Sequence, residues 1–115
     1  MTNKHCNEAA LLRVKEQILR EPERLGMRSF EYACGTTRCI AGWALHLDGQ
    51  TVNGMGSILP RAVAVVGLPP DAALELFGIG DGTLPAVMRA NAFEAAQAID
   101  NVIATGWPKW DEVLA

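Results

Sequence analysis

The residues of this 115-residue chain best suited to chemistry are three cysteines, Cys6, Cys34 and Cys39, and two histidines, His5 and His46. Thiolate and imidazole are zinc ligands, and a thiolate is also a nucleophile. Cys34 and Cys39 flank the turn residues Gly35, Thr36 and Thr37, so both thiols could reach one ion or exchange one disulfide across that turn. A cysteine in the first turn of the following helix would have its thiolate favoured by free backbone N–H groups and the helix dipole. His46 falls on the same helical side as Cys39, but seven residues of helix rise about 10.5 Å. One zinc ion with ligands at about 2.0–2.3 Å cannot span that unless both side chains reach inward. A four-ligand set would need His5 or Cys6 as well, and the spacing matches no strong zinc pattern. Cys34, Cys39 and His46 therefore define a thiol or metal site as an alternative reading, and no metal or cofactor is predicted. The opposing reading is a buried Cys39 beside Ile40 that behaves as a small hydrophobe.

Acid–base chemistry has less to build on. Asp48, Asp71, Glu75, Asp81, Glu94 and Asp100 are scattered and read as helix caps or solvated faces. His46 and Asp48 are not an i, i+3 or i+4 pair, and His46 reads as a partly buried, hydrogen-bonded side chain. The loop Gly78-Ile79-Gly80-Asp81-Gly82 follows a helix rather than a strand and lacks a Walker lysine, so it reads as a connector. Residues 1–40 carry seven basic and five acidic groups, and residues 41–115 carry three and eight, for a net charge of −3. That uneven balance has no Lys/Arg cluster interleaved with aromatics, so nucleic-acid binding is not predicted. No apolar run approaches the ~20 residues of a membrane span, and the polar, then amphipathic N-terminal stretch has no signal-peptide core. The expected location is the cytoplasm. An odd cysteine count in that compartment argues for reduced thiols.

The elements that would position these residues are helical. Residues 8–20 form a helix capped by Asn7, with Leu11, Val14 and Ile18 on one face, stopped by Pro22. Residues 22–32 form a connection, with Leu25, Met27, Phe30 and Tyr32 pinned to the core and a short extended piece over 28–32. The central helix spans residues 38–48. Thr36 or Thr37 caps it and Gly49 closes it, and Ile40, Trp43, Ala44 and Leu47 fall on one face. Gly42 costs roughly 1 kcal/mol against alanine inside a helix, so it signals close packing, or a small-molecule pocket beside it. A tiny hairpin over residues 50–56 is suggested by Asn53-Gly54. Helices follow over 58–66, with Ser57 as cap and Pro60 in the first turn, and over 71–77, ended by Gly78. A short turn over 84–89, capped by Thr83, leads to a last helix that starts at Asn91. Asn91 and Glu94 form a capping box there, and Phe93, Ala96, Ile99 and Ile103 a buried stripe. The fold predicted is a compact all-α single domain, residues 1–115, of about five uneven helices. Helix 38–48 is expected between the first and last.

Trp107 and Trp110 flank Pro108 in the tail, where they either staple it to the body or face a partner. The segment ACGTTRCIAGWALHL resembles a C-G-T-x-x-C-apolar-A-G-W-A pattern of small, mostly uncharacterised bacterial and bacteriophage proteins. The matching residues are Cys34, Gly35, Thr36, Cys39, Ile40, Ala41, Gly42, Trp43 and Ala44. The LPPDAALELF segment and the alanine-rich last helix are similar to that group too. The resemblance implies a bacterial or phage origin and assigns no activity. With no coherent catalytic set, the sequence predicts a non-enzymatic module that docks on a host or partner protein, with Trp107 and Trp110 as candidate binding residues. The thiol or metal site and a small-molecule pocket stand as alternatives.

Overall fold

The computed structural model describes residues 6–27, 38–50, 58–79 and 85–115. These residues form an all-α domain of six helices: α1 (Glu8–Arg20), α2 (Ile40–Leu47), α3 (Ile58–Val66), α4 (Pro70–Phe77), α5 (Ala92–Thr105) and α6 (Trp110–Val113). Two 3₁₀ turns, Pro22–Arg24 and Pro85–Arg89, join them. Several expected features lie outside the described residues: the Thr36 or Thr37, Ser57 and Thr83 caps, the extended piece at 28–32, the 51–56 part of the hairpin, and Gly80, Asp81 and Gly82. Cys34 and His5 lie there too.

α1 begins where its cap dictates. Asn7 Oδ1 accepts from the Ala10 N–H at 3.2 Å. The same residue donates from its backbone N–H to Val66 O at 2.7 Å and from Nδ2 to Val65 O at 3.0 Å. One residue thus serves an orphan donor at the start of α1 and two carbonyls at the end of α3. The two segments come so close there that a Cβ on Gly67, whose φ is +67°, would lie 2.8 Å from Asn7 N.

α1 packs against α5 and α2, and α2 packs against α1 and α3. The central helix, expected to be buried among the first and last helices, is buried over residues 40–45 with α1 and α3 as its main neighbours, and Leu11, Val14 and Ile18 of α1 are buried too. At the surface of the α1–α5 contact, Lys15 Nζ meets Asp100 Oδ1 at 2.7 Å. α3 continues onto α4, and α4 meets α5. No helix among the described residues is long and apolar enough to cross a membrane.

α5 starts at the expected capping box, with Glu94 N donating to Asn91 Oδ1 at 2.9 Å and Asn91 N to Glu94 Oε1 at 3.0 Å. Its buried face is Ala92, Ala95, Ala96, Ala98, Ile99 and Val102. Phe93 is 68% exposed, contrary to the expected stripe. It sits one residue, about 100°, round the helix from Ala92, and the alanines make the close contact instead. α2 starts two residues later than the apolar pattern suggests. Arg38 is spent on a bridge: its N–H donates to Arg24 O, and Gly26 N donates to Arg38 O, both at 3.0 Å.

Candidate functional site

Cys39, not a threonine, occupies the N-cap position of α2, with extended backbone and no capping hydrogen bond from its side chain. The residue is 3% exposed. Burial raises the thiol above its ordinary range, while the N–H groups of Gly42 and Ala41 pull the other way without prevailing. A raised pKa lowers the thiolate fraction, which is the opposite of what a nucleophile or metal ligand needs. Cys6 is buried as well. His46, at the far end of α2, is exposed rather than partly buried. The structure therefore places Cys39 in the core and His46 at the surface. No group of three metal-binding side chains forms among the described residues.

What α2 does assemble is a cation–aromatic stack. The guanidinium of Arg38, a side chain only 6% exposed, lies 5.0 Å from the centre of the Trp43 ring. His46 meets that ring edge-on, with centroids 5.5 Å apart and planes at 81°. Trp43 Nε1 donates to Arg24 O at 3.0 Å, which fastens the connection after α1 onto α2. A cleft of about 260 Å³ opens here, lined by Gln17, Glu21, Arg24, Arg38, Trp43 and His46. Its rim is already hydrogen-bonded: Arg20 Nη2 donates to Gln17 Oε1 at 2.6 Å, and Gln17 Nε2 donates to Glu21 Oε1 at 2.7 Å. Glu21 also lies 3.4 Å from Arg24 Nε. The described part of the cleft holds one carboxylate, Glu21, and one imidazole, His46, with Arg24 and Arg38 beside them.

The two tail tryptophans separate. Trp110 is 3% exposed, and its Nε1 donates to Glu75 O at 2.8 Å, which stitches α6 to α4. Lys109, just before it, is the N-cap of α6 and takes left-handed backbone at φ 56°. Trp107 is 41% exposed. Trp110 thus acts as the staple, and Trp107 is the member of the pair that a partner can reach.

An apolar concave surface is formed by residues that were not singled out as a site from the sequence. α3 and α4 enclose an open groove of about 530 Å³, lined by Leu59, Pro60 and Val63 on one wall and Pro70 and Leu74 on the other. Pro60 and Pro70 are exposed, and Leu59, Val63 and Leu74 are half-buried. The signal was present in α3, where Arg61 is the only polar residue yet only Ala62, Val65 and Val66 are buried. A helix more apolar than its core face requires leaves apolar area for another surface.

No protein-family model, curated protein or solved structure matches this chain.

Proposed function

We propose that this chain is a non-enzymatic protein-binding module whose α3–α4 groove receives an amphipathic helix of a partner. The observation that carries the reading is the apolar lining of that groove. Leu59 and Val63 are four residues apart on one wall, as are Pro70 and Leu74 on the other. Four helical residues rise about 6 Å, so the walls offer two successive turns to a helix laid between them. Helix-in-groove recognition uses anchors at i, i+3, i+4 and i+7, and two turns of apolar wall suit that spacing. Exposed Trp107 is a second candidate contact on the same molecule. The resemblance of the central motif supports a bacterial or phage origin, with a host or partner protein as the target and the cytoplasm as the place of action.

The test is a titration of isotope-labelled protein with an 18-residue helical peptide carrying a leucine face and a glutamine polar face. The expected result is shifts centred on the methyls of Leu59, Val63 and Leu74, abolished by Val63→Asp in a variant that keeps its helical circular dichroism. Absence of shifts there, or binding indifferent to Val63→Asp, contradicts the proposal.

A further inference from the structure

We draw no further inference here: the strongest candidate, the cleft beside α2 lined by Arg24, Arg38, Trp43 and His46, carries none as an anion site, because its basic groups are already engaged within the fold, Arg24 by the Glu21 carboxylate and Arg38 and His46 by the Trp43 ring.

Discussion

Trp107 and Trp110 stand three residues apart, yet replacing them should have very different consequences. Trp110→Ala removes a ring that is 3% exposed together with the donor that reaches Glu75 O. Deleting a buried tryptophan costs about 3–5 kcal/mol, because transfer energy is lost and a cavity remains. For a chain of 115 residues, an unfolding entropy of roughly 2.1 cal/mol/K per residue converts that loss to a fall of about 12–20 °C in Tm. Trp110→Phe keeps most of the apolar volume and loses the donor, so it should fall between Trp110→Ala and wild type. Trp107→Ala trims a ring that is 41% exposed. Its effect should stay within about 0.5 kcal/mol, or roughly 2 °C. Differential scanning calorimetry of the three variants is the assay. Equal shifts for Trp107→Ala and Trp110→Ala, or a Trp110→Ala shift below a few degrees, would refute the assignment of Trp110 as the staple of α6.

Other predictions follow from single contacts. Asn7→Ala removes the acceptor for Ala10 N and the donor to Val65 O, and should cost about 1–2 kcal/mol in urea unfolding, more than loss of a surface side chain. Gly67→Ala should destabilise by more than Gly49→Ala. Both glycines have positive φ, but only at Gly67 would the new Cβ meet backbone, at 2.8 Å, whereas Gly49 opens to empty space. Burial raises the folded-state pKa of Cys39, so the unfolded chain gives up that proton first as pH rises. The contribution of Cys39 to stability is therefore complete below the ordinary thiol pKa and is lost as pH rises from there through the raised folded-state value. Stability measured from pH 7 to 10 should fall less steeply in Cys39→Ala than in wild type, and identical slopes would contradict a buried thiol.

How far the fold could be read depended on whether the deciding contact was local. α1 was legible from end to end because Asn7 and Pro22 bound it in sequence. The start of α5 was legible because its capping box spans only residues 91–94. The start of α2 was not: the contacts that withhold Arg38 from the helix come from Arg24 and Gly26, far back along the chain. Phe93 was misplaced because periodicity weights large apolar residues, whereas the buried face of α5 is mostly alanine. The tryptophan pair could not be separated by spacing, because Trp110 is fixed by a bond to Glu75 O, 35 residues back along the chain. The cysteine–histidine reading identified a real centre of organisation in α2, but burial gives that centre a packing role for Cys39 and an arginine stack for Trp43. The groove was hidden for a different reason. Its walls come from two helices, and although the excess apolarity of α3 pointed to a second surface, only the packing shows that Leu59, Val63 and Leu74 are left facing a common space.

The account turns on where a partner helix rests, and intermolecular nuclear Overhauser effects locate it most directly. With the leucine-faced helical peptide bound to the labelled chain, the peptide methyls should show contacts to Leu59, Val63 and Leu74. Contacts confined to the Trp107 indole, or to Trp43 and His46 in the cleft beside α2, would contradict the claim that the α3–α4 groove is the docking surface.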